Sequence, residues 1–208
     1  MLSAIISLAI AISLTGCAQT RLSHEPGLVS RLARPQPALK EPSAPTLFVV
    51  LHTRYLEFDK PADPSVAKWW SKHKVRHQLE DVIGEFPFLR LASPEAPTSP
   101  PRLLIEATHA LRGHKTLNAL SRMTHGLIPS SATGCIELDA TLSRDGQPLK
   151  RYEAVGRYRL RRHLIFFAMP FLWGYKVPAA TMEDTFRDLF LQVQQDLPTL
   201  FPASGGAT

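Results

Sequence analysis

The stretch that decides the fold is IELDATLSRDG, residues 136–146. Apolar and polar side chains alternate strictly from Ile136 to Ser143, which is the period of a strand buried on one face. Asp145-Gly146 follows, a dipeptide that favours the two-residue turn of a β-hairpin. A return strand is therefore predicted over residues 149–162. Its inward face is predicted to hold Tyr152, Ala154, Gly156, Tyr158 and Leu160.

Three further strands and a helix are predicted upstream of this hairpin. Residues 47–51, LFVVL, form a continuous apolar run typical of a buried strand, and shorter patterns predict strands over 88–91 and 102–112. Asp63 is placed as the N-cap of a helix, with Pro64 at its first position and with Gly84 and Pro87 ending it. The predicted apolar stripe of this helix comprises Val66, Trp69, His73, Leu79, Val82, Ile83 and Phe86.

A second helix closes the domain. Thr181 and Asp184 resemble a capping box, with Asp in place of the usual Glu or Gln. The helical face behind them comprises Met182, Phe186, Leu189, Phe190, Val193 and Leu197.

Residues 114–134 show no clean period and are interpreted as a loop with about one helical turn. We predict an α+β domain over residues 46–200, a mainly antiparallel sheet of about five strands with two helices packed on one face, and a disordered tail over 201–208.

The N-terminus predicts export and lipidation. Leu14-Thr15-Gly16-Cys17 closes an uncharged apolar run, Leu2 to Ile12, in the form that a bacterial lipoprotein signal peptidase cleaves. The run is too short to span a bilayer, which needs about 20 residues, and it suits the apolar region of a signal peptide. No Lys or Arg precedes it, which is unusual for such a signal. Residues 1–16 are thus predicted to be removed, leaving an acylated Cys17.

The segment that follows is predicted to be a tether. Residues 17–45 hold prolines at positions 26, 35, 37, 42 and 45 and lack apolar periodicity. As a flexible coil, such a segment would span about 30 Å. Several acyl chains on Cys17 would anchor it firmly, because a single chain binds membranes only marginally. Ala18 is not the Asp that often retains lipoproteins in the inner membrane, so the periplasmic leaflet of the outer membrane is favoured.

A basic strip adjoins an apolar run near the end of the hairpin. Residues 148–178 hold seven Lys or Arg and one acid, a surplus equal to the net charge of +6 of the whole chain. Arginines at alternate positions of a strand project from one face. Arginines beside aromatic side chains are typical of a membrane-surface contact. The predicted lipid or partner surface comprises Arg157, Arg159, Arg161, Arg162, Phe166, Phe167, Phe171 and Trp173.

Two other interpretations of this segment stay open. In the first, the apolar run over 164–173 is a core strand and the arginines form a solvated sheet face. Pro170 and Gly174 interrupt the run, which argues against one long central strand. In the second, the segment contacts a partner protein.

The sequence contains no catalytic or metal-binding motif. Ser130-Ser131 follows Pro129 in a predicted loop without the frame of a hydrolase nucleophile. With Cys17 acylated, Cys135 has no disulfide partner and is predicted to be a half-buried, inert thiol. His73 and His77 have a chelating spacing, but no third ligand accompanies them. No metal, no cofactor and no enzymatic activity are predicted, and the export signal argues against nucleic-acid binding.

The order of these features resembles a known group. Thr124-His125-Gly126-Leu127-Ile128-Pro129, then the alternating strand, Asp145-Gly146 and an apolar run broken by Pro170, is similar to uncharacterised lipoproteins of Gram-negative bacteria. The likeness covers about residues 46–197. That group resembles auxiliary lipoproteins of lipid-moving ABC transporters and the lipopolysaccharide-assembly lipoprotein. The resemblance implies a non-catalytic envelope role and supplies no active site.

The sequence thus favours a lipid-anchored periplasmic protein that binds lipid or an envelope complex through residues 157–175. A module that binds only a protein is the alternative. A periplasmic hydrolase is a third interpretation, which would require a Ser or Cys beside a His.

Overall fold

The computed structural model describes residues 17–21, 45–92, 100–124, 127–162 and 177–202. The predictions for the signal segment 1–16, for residues 22–44 of the tether and for residues 203–208 lie outside these ranges.

A mixed sheet forms the body of the domain. Within the described ranges it has seven strands in the order β1-β7-β6-β5-β2-β3, with β4 paired to β2. The strands are β1 (Cys17–Arg21), β2 (Leu47–Glu57), β3 (Lys60–Pro61), β4 (Leu89–Leu91), β5 (Arg102–Gly113), β6 (Ser130–Arg144) and β7 (Gln147–Arg162). The helices are α1 (Pro64–Trp70), α2 (Arg76–Ile83), α3 (Lys115–Met123) and α4 (Val177–Leu200), with a π-helical turn, Ser71–Val75, joining α1 to α2.

The predicted α+β class is confirmed. The five predicted strands correspond to β2, β4, β5, β6 and β7, and the short strands β1 and β3 add to them. The sheet is antiparallel except around β2, which runs parallel to β4 and β5. One core lies between the inner face of the sheet and the helices: Phe86, directly after α2, meets Phe190 of α4 edge-to-face with ring centroids 5.5 Å apart.

The β6–β7 hairpin forms as predicted. Asp145 and Gly146 both have positive φ, 51° and 78°, as the tight type I′ turn requires. Pairing of Leu138 with Ala154 and of Ala140 with Tyr152 puts the apolar positions of both strands on the inner face. The opposite face is polar, so a one-residue slip would bury charged side chains.

The π turn explains the irregular stripe of the first helix. Asp63 accepts a 2.9 Å hydrogen bond from the Ser65 amide, which confirms the predicted N-cap. The extra residue in the π turn rotates the apolar face, so that Trp70 and Val75 are buried while Val66 and His73 are exposed. The prediction that Val66 and His73 face the core is therefore wrong.

The last helix begins one turn earlier than predicted. Thr181 is fully buried inside α4 and donates its hydroxyl to the Val177 carbonyl at 2.7 Å, so it is not the N-cap. The six residues of the predicted apolar face are all buried. Phe201, expected to open a disordered tail, instead packs against the core and donates its amide to Leu197 O at 2.8 Å.

Residues 114–134 differ most from expectation. The predicted loop contains α3, a helix of nine residues, and β6 begins at Ser130. Ser130 and Ser131, predicted to be loop residues, are the first residues of that strand. This segment lacks the periodicity of a core helix because α3 leaves much of its apolar face exposed, as described below.

Glycine allows α4 to approach β7 closely. A Cβ on Gly156 would lie 2.2 Å from the Thr185 hydroxyl oxygen and 2.9 Å from a Thr181 methyl carbon. Thr185 is buried and hydrogen-bonds the Thr181 carbonyl at 2.6 Å, so it has little room to move. Helix α4 can therefore pack against β7 only because position 156 has no side chain.

We expect Gly156→Ala to destabilise the protein by about 1–3 kcal/mol, since overpacking at this helix–strand contact displaces α4. Urea denaturation measures this change. Gly84→Ala is the control, because a Cβ there would meet only ordinary contacts, 3.4 Å or more away, and should leave stability within about 0.5 kcal/mol. Equal stability of Gly156→Ala and the wild type would contradict this packing.

A buried histidine lies in an aromatic cluster of the core. The His109 ring lies about 5 Å from both the Tyr55 and Trp70 rings, with centroid distances of 5.1 and 5.0 Å. Its Nε2 is hydrogen-bonded to the Tyr158 hydroxyl at 2.6 Å, and within the described ranges its Nδ1 has no partner. Burial lowers the pKa of His109 to about 4, so this imidazole is neutral at pH 7.

Stability should therefore depend on pH through His109. In the unfolded state His109 has a pKa near 6.5, so it binds a proton that the folded state takes up only near pH 4. Above about pH 6.5 the residue is neutral in both states, and the folded state keeps its full free energy of unfolding. Between about pH 6.5 and 4 we expect up to about 3 kcal/mol of unfolding free energy to be lost. In His109→Gln that part of the pH dependence should disappear in denaturation series. Identical pH slopes for the two proteins would contradict a neutral, buried imidazole.

Candidate functional site

The predicted arginine strip lies on the outer face of β7. Arg157, Arg159 and Arg161 alternate with Gly156, Tyr158 and Leu160 of the inner face. Arg157 and Arg161 are exposed and Arg159 is partly exposed. Alternation along the strand requires this arrangement, because the inner positions must meet α4 and the core.

Some of the basic side chains in this region form ion pairs with acidic residues of the domain, and others do not. At the hairpin end, Lys150 lies 2.6 Å from Asp196, and Arg151 forms a two-pronged contact with Asp139. The side chains of Arg159 and Arg161, by contrast, form no hydrogen bond or ion pair with another described residue. Among the described residues, Arg159 and Arg161 are therefore available to an external anion, whereas Lys150 and Arg151 are already paired.

Arg157 differs from its two neighbours because it contacts the Cys135 thiol. The thiol is 2% exposed, and its sulfur lies 3.4 Å from Glu137 Oε1. Burial raises the thiol pKa, so this cysteine stays protonated and a poor nucleophile. It is more deeply buried than predicted.

Strand β1 brings the predicted lipidation site beside the arginines. Cys17 pairs with Arg162 and Ala18 with Arg161, antiparallel along the edge of β7. The predicted tether, residues 17–45, therefore begins with a short strand, because the edge of β7 offers backbone hydrogen bonds that a short polar segment can use. Acyl chains on Cys17 would leave the domain at the arginine end of the sheet.

Four residues of the predicted surface lie outside the described residues. Phe166, Phe167, Phe171 and Trp173 lie between residues 163 and 176, outside the described residues, and Arg162 is described only by its backbone. Whether the apolar run is core or surface therefore stays a prediction.

Two pairs of charged side chains lie one turn apart along α2. Arg76 pairs with Glu80 at 2.9 Å, and His77 lies 3.6 Å from Asp81. A groove of about 400 Å³ lies beside the π turn, where the Thr53 and Ser71 hydroxyls hydrogen-bond each other at 2.7 Å. Within the described ranges, no three His, Cys, Asp or Glu side chains lie close enough to hold a metal ion.

Sequence reasoning missed one feature near the strip. The α3 helix and the turn after it expose five large apolar side chains: Leu117, Leu120, Met123, Leu127 and Ile128. The spacing of three between Leu117, Leu120 and Met123 was the available signal. This spacing is typical of a helix, but polar residues between the three apolar ones made the segment resemble a loop.

None of the described helices has both the length and the apolar character needed to cross a bilayer. No protein-family model matches this chain, and no curated protein matches its sequence. Among solved structures, a minor lipoprotein from Acinetobacter baumannii is similar in part, with 9% sequence identity and a TM-score of 0.37 over 74% of this chain and 92% of that chain. No residue role is transferred from a similarity of this size.

Proposed function

We propose that this protein is a non-catalytic envelope lipoprotein, anchored through acylated Cys17 in the periplasmic leaflet of the outer membrane. Its sheet binds anionic lipid headgroups through the arginine strip of β7. The observation that supports this most strongly is the pairing of Cys17 and Ala18 with Arg162 and Arg161, which joins the anchor to the basic surface.

Guanidinium groups suit this role. Arginine forms two parallel hydrogen bonds with a phosphate and stays charged at any physiological pH. Each basic residue near an anionic membrane surface contributes about 1 kcal/mol, and this contribution falls within a Debye length of the lipid. Arg159 and Arg161 can provide such contacts without breaking an ion pair to another described residue.

The anchor itself is tested by mass spectrometry of the full chain expressed in a Gram-negative host. We expect a mature N-terminus at Cys17 bearing acyl chains, and a Cys17→Ser variant that is neither cleaved there nor acylated. A mature chain that begins elsewhere, or an unmodified Cys17, would rule out the anchor.

The arginine strip is tested with protein produced from residue 18 onward, which lacks the acyl chains. We expect it to bind vesicles containing phosphatidylglycerol, less at high salt, and we expect Arg159→Glu/Arg161→Glu to weaken this binding by about 2 kcal/mol or more, roughly thirtyfold. Vesicle co-sedimentation measures both.

The matched control is Arg90→Glu/Arg144→Glu, which changes the net charge equally at exposed positions at the other end of the sheet. It should retain most of the binding. Equal loss in both double variants would mean that only total charge matters, and a wild-type protein that ignores anionic vesicles would overturn lipid binding. Crosslinking near Trp173 that captures an envelope protein, without lipid binding, would instead select the protein-interaction module.

A further inference from the structure

The connection between β5 and β6 presents an apolar surface that the proposed function does not use. Met123 is 77% exposed and Leu127 68%, and Leu117 and Leu120 of the same helix are also exposed. Ser121 is fully buried and therefore marks the side of α3 that faces the domain. We call the surface formed by Leu117, Leu120, Met123, Leu127 and Ile128 the apolar tip.

The apolar tip is held in place rather than loosely attached. The Thr124 hydroxyl donates to the Leu120 carbonyl at 2.8 Å and accepts from the Ile128 amide at 3.3 Å. A further bond joins the Leu127 amide to the Thr124 carbonyl at 3.0 Å. Thr124 thus ends α3 and fixes the turn that exposes Leu127 and Ile128.

The apolar tip lies at the same end of the sheet as the lipid anchor. Ser130, which follows the tip, pairs with Arg162, and Arg162 pairs with Cys17. Adjacent strands are about 4.8 Å apart, so the Cys17 and Ser130 backbones are separated by only about 10 Å. The Asp145-Gly146 turn lies at the other end of the 15-residue strand β6, about 45 Å away.

The charge at this end favours an anionic surface over a basic or neutral one. Between Glu106 and Glu137 the sequence has no acidic residue but contains Arg112, Lys115 and Arg122, of which Arg112 lies 3.4 Å from Asp59. Arg161 lies beside Cys17 at the neighbouring edge. A short helix with an exposed apolar face, basic neighbours and no acidic residue of its own has the composition of an element that lies in a membrane interface.

We infer that the apolar tip inserts into the leaflet in which Cys17 is anchored, so that the domain stands on this end with its hairpin pointing away. This inference rests on the proposed function, because it takes Cys17 as the anchor. It adds an apolar contact to the electrostatic contact of the arginine strip.

The test uses full-length, lipidated protein reconstituted in vesicles containing phosphatidylglycerol. A fluorophore is attached at Met123→Cys, at Leu127→Cys and, as control, at Gln147→Cys beside the hairpin turn. Labelling is specific, because Cys135 is buried and acylated Cys17 has no thiol. All three positions are exposed, so each variant should fold.

We expect lipids with quenchers in their acyl chains to quench the labels at 123 and 127 several-fold more than the label at 147. Quenching of position 147 alone, or of none of the three, would overturn the inference. Labels at 123 and 127 that are shielded from both lipid and aqueous quenchers would assign the apolar tip to a protein partner or a second copy, and would equally overturn it.

This result separates the inference from the proposed function. If acylated Cys17 and the effect of Arg159→Glu/Arg161→Glu are both observed but the tip labels are not quenched, the proposed function stands and insertion fails. If Cys17 is not acylated, the proposed function fails before insertion is measured.

Discussion

The β6–β7 hairpin is the constraint on which the rest of the structure depends. Its turn, with positive φ at both Asp145 and Gly146, fixes the register of the two longest strands. That register puts Gly156 under α4 and Tyr158 against His109 on one face, and the arginines on the other. Side chains of a strand point alternately to its two faces, so the register that buries the apolar side chains of β7 also exposes its arginines. Neither arrangement can change without the other.

The pairing of β7 with its neighbours also makes the two ends of the sheet chemically different. The edge of β7 pairs with β1, and this pairing brings Cys17, the proposed lipidation site, to the end of the sheet where the arginine strip and the apolar tip lie. At the opposite end, Lys150 and Arg151 are neutralised by Asp196 and Asp139. Within the described residues, Arg159 and Arg161, which have no side-chain partner, and the exposed apolar side chains of α3 therefore lie at the end that we propose is anchored, which is the distribution expected of a protein that rests on an anionic membrane.

Local pattern predicted the parts of the fold in which burial is one-sided and regular: the hairpin, the α4 face and the Asp63 cap. It failed where tertiary contacts decide. The sequence CAQTR of β1 has no apolar alternation, and only the free edge of β7 makes it a strand. The π turn depends on how Trp70 and Val75 enter the core, and α3 was missed because its apolar residues face outward. Pro178, in the first turn of α4, was the overlooked signal for that helix start.

Of the candidate site, the arginines were predicted. Which cations of the region are paired was not, since it depends on Asp139 and Asp196.

The central claim is that the domain rests on the membrane with its Cys17 end down. Paramagnetic broadening of backbone amides, measured for the lipidated protein in nanodiscs whose headgroups carry a chelated gadolinium ion, tests this most directly. The account predicts strong broadening at residues 113–124 and 157–162 and none at the turn around Asp145. Uniform weak broadening, as expected for a domain floating on a flexible tether, or strongest broadening at the hairpin turn would contradict it.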